Sequence, residues 1–358
     1  MENKKIRKKE YLFISPFYKS RYKNGGFNRS SQLVEIFSEY DFLFFNPYFN
    51  FREGIIFIKK NFFNLFDSFI FATRLYLFKG LSLKGFLLIL IKSIFFIEIL
   101  NKNRGRKILM EGGGNLPIIF CQYLIQRKIS FQILPSNIEY LVRDRRDNSY
   151  FRSNFYKYKN EIEVYNYSEK VITISEYDSS ILACHNIFSK CFPYFPNTKH
   201  QQKLFQISKY RQRNIKKIVK NGHILILGSM TNNPTKLGIL KLLNKLNKIP
   251  NLECHIKIAG FGTEGLIEIE NNKIDILGSV SEKVLEGLMQ NCKCLIINQA
   301  QTTGFLTKIV EFNLARIPIL VTSNYYQAKN LEKYGVFYKD TNYLSNHLLN
   351  RILNKKYK

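Results

Sequence analysis

A chain of 358 residues with 45% apolar content is longer than one hydrophobic core usually serves and too apolar to stay disordered, so two folded domains are expected. Its formal net charge of +28 creates a field that attracts phosphate groups. Zinc-finger spacing, an RNP-type aromatic signature and helix-turn-helix punctuation are all missing, so nucleic acid is not an expected partner.

The chain opens with charged residues and runs into a short apolar segment without the long apolar region or cleavage site of a secretion signal, which predicts a cytoplasmic protein. That segment, Tyr11–Phe17, reads as a strand. A loop holding Gly25 and Gly26 follows, then a helix from Asn28 with Leu33, Val34, Ile36 and Phe37 on its apolar face. Asp41–Phe45 is a second strand. Further strands are predicted at Lys107–Met110, Phe131–Leu134 and Lys170–Ser175, with helices at Leu116–Gln126 and Asn154–Ser168. Strands alternating with helices predict a parallel sheet covered on both faces.

The stretch Gly54–Leu100, rich in Phe, Ile, Leu and Lys, interrupts this rhythm. A helix buried in the N-terminal domain is the first reading and a membrane-surface helix the second. A spanning helix comes third: it would hold Lys92 near the hydrocarbon centre at a cost of roughly 2.5–3.5 kcal/mol, and Lys84 and Glu98 add to the objection. The pattern breaks at Phe192-Pro-Tyr-Phe-Pro196. The polar, basic run beyond it reads as a linker with a solvated helix, which sets domains at 1–197 and 222–358 around a linker at 198–221.

A second alternating set begins with strands at His223–Leu227, Cys254–Ala259, Ile274–Leu277, Cys294–Ile297 and Ile317–Thr322. Helices are expected at Leu237–Leu246, Glu282–Gln290 and Lys308–Ala315. Six cysteines are scattered, with only Cys292 and Cys294 close together, so buried, reduced thiols are expected rather than a metal site. Glycines recur just beyond strand carboxyl ends, as Gly228-Ser229, Gly260-Phe-Gly262 and Gly278-Ser-Val280. In open α/β sheets ligands bind at that edge, and glycine lets the backbone approach a phosphate or sugar. The segment Thr302-Thr303-Gly304-Phe305-Leu306-Thr307-Lys308 then feeds a helix whose first turn offers free N–H groups to a diphosphate. Lys308 adds a point charge, and Glu311, one turn on, is placed to accept ribose hydroxyls. The alternative reading is a solvated helix residue at Lys308 and an ordinary N-terminal helix acid, favoured by the dipole, at Glu311.

From Ile224 to Thr322 these elements, in this order and spacing, resemble the C-terminal domain of GT-B glycosyltransferases, within the family 4 (group 1) set. The strand ending in Gly228-Ser229, the Gly260-x-Gly262 and Gly278-x-Val280 pairs, the glycine loop, the Lys308 and Glu311 positions and Ala315-x-x-Pro318 all have counterparts there. The first half is similar to the same family through Gly25-Gly26, through Ser136-Asn137-Ile-Glu139 and through the strand ending at Ser175. Thr303, Ser229 and Ser136 stand where many members carry an acid, an arginine and a histidine, and Lys236 is a candidate substitute for that arginine.

The resemblance implies an α/β protein of GT-B architecture, with two Rossmann-like doubly wound domains facing a cleft. The C-terminal domain would bind the nucleotide-diphosphate sugar through Gly228, Ser229, Lys236, Gly260, Gly262, Gly278, Val280 and the 303–307 loop, with Lys308 and Glu311 as catalytic residues. Gly25, Gly26, Asn137 and Glu139 would line the acceptor side. It implies a retaining glycosyl transfer and, together with the basic, apolar N-terminal half, a lipid-linked or surface glycan as acceptor. The mixture of Lys with Phe, Ile and Leu between Ile55 and Leu100 predicts docking on the cytoplasmic face of an anionic membrane without spanning it. No Asp-x-Asp pair follows a strand, so neither metal nor cofactor is expected; the nucleotide sugar is a co-substrate. A nucleotide-sugar epimerase of the same fold and a non-catalytic membrane- or glycan-binding module are the alternatives.

Overall fold

The computed structural model describes residues 11–15, 25–37, 42–45, 62–112, 114–141, 150–249, 254–266, 272–299, 305–322 and 336–339. The chain divides into two compact units, Met1–Phe195 with Thr303–Phe305, and Pro196–Thr302 with Leu306–Lys358.

The first unit holds strands β1 (Tyr11–Ile14), β2 (Phe42–Phe45), β3 (Lys107–Gly112), β4 (Phe131–Pro135), β5 (Lys170–Thr173) and β6 (Ser189–Cys191). They form one parallel sheet in the order β2-β1-β3-β4-β5-β6. Its helices are α1 (Gly25–Ile36), α2 (Phe62–Phe78), α3 (Leu83–Lys102), α4 (Asn115–Gln126), α5 (Asn154–Tyr167) and α6 (Glu176–Ala183). Parallel pairing requires a crossover between neighbours, and these helices supply it. The chain reverses its direction across the sheet between β1 and β3, which makes that pair the topological switch point. The main core gathers Leu12, Ile14, Met110 and Ile133 from the strands against Phe96 and Phe120 from the helices.

Gly25 and Gly26, expected in a loop, lie in the first turn of α1. The end of the Gly54–Leu100 stretch forms α3, which is partly buried in the first unit as the first reading had it, through residues that include Ile89, Ile94, Phe96, Ile97 and Leu100. Ser82 caps that helix by accepting from the Gly85 N–H at 3.0 Å. The turn from α2 to α3 passes through Gly80 at φ +69°, where a Cβ would lie 2.0 Å from the Tyr156 ring, so only glycine serves. No helix among the described residues is long and apolar enough to cross a membrane.

In the second unit, β7 (His223–Leu227), β8 (Ile256–Ala259), β9 (Ile274–Gly278), β10 (Cys292–Ile297), β11 (Ile319–Thr322) and β12 (Val336–Lys339) pair in parallel as β12-β11-β10-β7-β8-β9. Counted from β7 this is the 3-2-1-4-5-6 order of a dinucleotide-type sheet, with its switch point between β7 and β10. β7 is a nearly unbroken apolar run, as a central strand covered on both faces must be. Helices α9 (Asn233–Leu246), α10 (Glu282–Gln290) and α11 (Thr307–Leu314) connect the strands.

The segment expected as a basic linker with a solvated helix holds two helices, α7 (Thr198–Arg213) and α8 (Ile215–Asn221), of which α7 is packed rather than solvated along one face. Leu204 and Ile207 of α7 are buried. Arg211 is buried as well, donating to the carbonyls of Met289, Gln290, Cys292 and Arg316. A polar composition concealed this role, because one arginine satisfying four carbonyl groups replaces part of an apolar face. Cys292 and Cys294 are both buried, and burial pushes the Cys292 thiol up to about 12.

Candidate functional site

The loops that leave the carboxyl ends of β7, β8 and β9 are bonded to one another. Gly228 N–H donates to Ala259 O at 3.0 Å, Gly260 N–H to Gly278 O at 2.8 Å, and Met230 N–H to Phe261 O at 2.9 Å. Gly260, at φ +141°, would place a Cβ 1.9 Å from Gly228 O, so the approach of these loops depends on its bare backbone. Gly262 packs against Met230, and Gly278 against Glu264. Val280, half-buried, immediately precedes Ser281, the residue that caps α10. The glycine positions expected at the sheet edge thus lie on strand exits tied to one another by backbone hydrogen bonds.

Ser229 begins the turn into α9, with its Oγ 2.6 Å from Thr231 Oγ1. Lys236 is exposed near the start of that helix. No side chain caps α9 at Asn232 or α11 at Leu306, whereas Ser281 caps α10 and Asn197 caps α7. These two uncapped termini belong to the helices that follow β7 and β10, the strands flanking the switch point. Their first-turn N–H groups are suited to an anion. Phe305 and Leu306 are half-buried ahead of α11, and Thr307 is buried in its first turn. Thr303 and Gly304 lie outside the described residues.

Lys308 joins the two sides of the switch point. It stands on the helix after β10 and its ammonium donates to Leu227 O, at the end of β7, over 2.7 Å. Burial lowers its pKa to about 8, and the nearby Glu311 carboxylate opposes that shift. Glu311 is half-buried one turn further along α11, and its Oε2 lies 3.8 Å from His200 Nε2. His200 was not legible as a site neighbour: it sits in the first turn of α7, inside the run read as linker. Asn298 was missed too. It follows β10, is buried, and donates to Gly238 O at 2.7 Å, tying α9 to the β10 exit. A Cβ on Gly238 would fall 1.9 Å from Asn298 O.

In the first unit, Asn137 and Glu139 come together on the turn after β4, with Asn137 Nδ2 3.4 Å from Glu139 Oε1. The turn is held from below by Glu161 of α5, whose carboxylate accepts the Glu139 and Tyr140 N–H groups, each at 2.7 Å. Tyr165 also donates to Glu161, at 2.6 Å. Burial and the neighbouring Glu139 charge nevertheless raise the Glu161 pKa to about 7. Gly25 and Gly26 stand at the start of α1, which follows β1.

A further polar group lies at the β1/β3 switch point. Glu111 is fully buried and accepts from Ser15 at the end of β1 and from Ser30 on α1. Burial lifts its pKa to about 7, against those two hydrogen bonds and the charge of Arg29. The signal available beforehand was Glu111-Gly-Gly-Gly114, an acid and three glycines at a strand exit.

No protein-family model and no curated protein matches the chain. Solved structures do. The N-terminal domain of trehalose-6-phosphate phosphatase from Candida albicans superposes with a TM-score of 0.60 at 10% identity, over 97% of this chain and 91% of that one. HepE from Anabaena, solved with UDP, gives 0.59 at 14% identity, over 96% and 89%. UDP-GlcNAc 2-epimerase from Methanocaldococcus jannaschii gives 0.51 at 14% identity, over 97% and 93%. Two parallel sheets of Rossmann type in one chain, shared with these neighbours along most of both lengths, show the GT-B fold.

Proposed function

We propose that this chain is a glycosyltransferase that moves a sugar from a nucleotide-diphosphate donor to a lipid-linked or surface-glycan acceptor. One observation carries the reading: Lys308 and Glu311, one turn apart on α11, stand where an uncapped helix start meets the glycine-lined exits of β7 and β8. A diphosphate placed there meets N–H dipoles and an ammonium, which stabilise the charge that develops as it leaves the anomeric carbon. Glu311 would accept from the ribose hydroxyls, and the glycine edge would let the donor lie against the backbone. The second unit is therefore the donor side, and the Asn137–Glu139 turn with the start of α1 is the acceptor side.

The support from neighbours is of the same kind. HepE has been solved with UDP-glucose as well as with UDP, and sucrose-phosphate synthase from Thermosynechococcus elongatus shares the fold at a TM-score of 0.55. The finer reading is a retaining, metal-independent transfer at the cytoplasmic face of a membrane. The donor site itself is tested by calorimetric titration of UDP, GDP and ADP into the full chain. Saturable binding of one of them is expected; if none binds, the donor site is not where this reading puts it.

Epimerisation is the second reading, favoured by the shared fold of the UDP-GlcNAc 2-epimerases. The two separate on one assay. An epimerase converts or cleaves the nucleotide sugar with no acceptor present, whereas a transferase consumes it in step with an added glycan acceptor.

A further inference from the structure

Helices α2 and α3 form a pair whose outward surface is apolar, where a solvated helix normally carries polar residues. On α2 the buried positions Ser68, Phe71, Ala72 and Leu75 follow the i, i+3, i+4, i+7 spacing of an inward face. The outward positions Phe66, Phe69, Ile70 and Leu77, at i, i+3, i+4 and i+11, share the opposite face; Phe66 is 70% exposed and Leu77 60%. On α3, Leu83 and Leu87 continue the surface at 65% and 55% exposure. The ring contact of Phe69 with Phe86, at 6.2 Å between centroids, joins the two helices into one patch. Scattered exposed apolar residues are ordinary, but a stripe running across two helices marks an interaction surface.

The charges on the same helices are one-sided. Asp67 is paired with Arg127 at 2.6 Å, and Glu98 with Lys102. Arg74 and Lys84, both exposed beside the apolar stripe, have no ion pair among the described residues. The platform is firmly set. Arg152 donates to Leu81 O at 3.1 Å and Tyr76 O at 2.9 Å, and Asn160 donates to Lys79 O at 2.9 Å.

We infer that this α2–α3 face docks on an anionic lipid bilayer, its apolar side chains entering the headgroup–acyl boundary while Arg74 and Lys84 meet lipid phosphates. Neither helix is long and apolar enough to cross, so the contact is interfacial. The charge argues for lipid over a second copy of the chain, since two molecules of formal charge +28 repel and an anionic surface attracts. The inference stands apart from the sugar-transfer reading, because a protein can bind vesicles with or without a nucleotide site.

The test is flotation of the full chain with vesicles of phosphatidylcholine alone and of phosphatidylcholine with phosphatidylglycerol. Binding to the anionic vesicles only, weakened by salt, is expected. The double variant Phe66→Glu with Leu77→Glu should lower it by more than roughly tenfold, since withdrawing each large apolar side chain from lipid forfeits about that factor. Arg74→Gln with Lys84→Gln should weaken binding several-fold and flatten its salt dependence. All four side chains are exposed, so unchanged circular dichroism is expected, and nucleotide titration of the same variants separates failure here from failure of the donor site. The inference is overturned if the unaltered chain ignores anionic vesicles or if the apolar variant floats as the unaltered chain does. It is also overturned if the unaltered chain is a dimer that the apolar variant dissolves, which would make the face a contact between copies.

Discussion

At Lys308 an ammonium that burial has pushed down to about 8 faces the place proposed for a diphosphate. An anion there favours the protonated form, so the complex titrates at a higher pH than the free protein. Nucleotide-diphosphate affinity should therefore hold below pH 8 and decline above it, and Lys308→Gln should abolish the decline while weakening binding by roughly 1.5–3 kcal/mol. Titrations of UDP between pH 7 and 9.5 decide this; a variant retaining the decline would place the titrating group elsewhere. Glu311 calls for a graded series. Glu311→Gln keeps one acceptor for a ribose hydroxyl and Glu311→Ala keeps none, so donor affinity should fall further for Ala, by roughly 1–3 kcal/mol. Loss of the fold in Glu311→Ala would instead assign this carboxylate to structure. Glu111 bears on stability. Its folded pKa of about 7 lies above the ordinary 4.5, so the folded state holds a proton between those values that the unfolded chain releases. Its contribution is thus full below pH 4.5 and is lost as pH rises towards 7, by on the order of 3 kcal/mol. Glu111→Gln, which stays neutral, should be gaining on the parent across that window in urea melts. A constant difference between the two would show that Glu111 does not titrate there.

Among the elements, the bonded exits of β7, β8 and β9 rest on Gly260. An alanine there would bring its Cβ against Gly228 O at a φ that side chains rarely adopt, so Gly260→Ala should cost about 3 kcal/mol or more, as read from the urea midpoint. A neutral effect would mean the loops part easily and do not form a fixed edge. Much of this edge was legible. Three strands of the second unit, β7, β8 and β9, are short apolar runs ended by glycine, and β7, β9 and β10 fall within a residue or two of where Ile, Leu and Cys runs placed them. What escaped was either short or polar. β6 is Ser189–Cys191 and β12 is Val336–Lys339, too brief to stand out by periodicity. α7 was legible as a helix but not as a packed one, because its inner face sets the buried Arg211 beside Leu204 and Ile207 within a polar, basic run. The pairing of His200 with Glu311 is a tertiary fact, since no local pattern relates a residue of α7 to one of α11. Glu161 escaped for the same reason: only the fold brings α5 beneath the Asn137–Glu139 turn.

For the whole molecule, two sheets with separate cores imply more than one unfolding event. The first unit's main core is built on β1, β3 and β4, and a principal core of the second on β7, β8 and β10, with no residue in common. Chains divided in this way commonly depart from two-state behaviour, so calorimetry of the full chain should resolve two transitions. Donor nucleotide binds one unit on the reading above, and a ligand stabilises only what it binds. At a hundredfold excess over its dissociation constant it contributes about 2.7 kcal/mol, enough to move one transition by several degrees. Gly260→Ala identifies which transition that is, because its strain lies wholly in the second unit. The transition lowered by Gly260→Ala should be the one raised by nucleotide, while the other stays in place. If nucleotide raises the other transition, the donor lies on the first unit, and Glu111 with the β1/β3 switch point becomes the place to look for it. If both rise together by the same amount, the units unfold as one, and their cores are thermodynamically coupled despite sharing no residue.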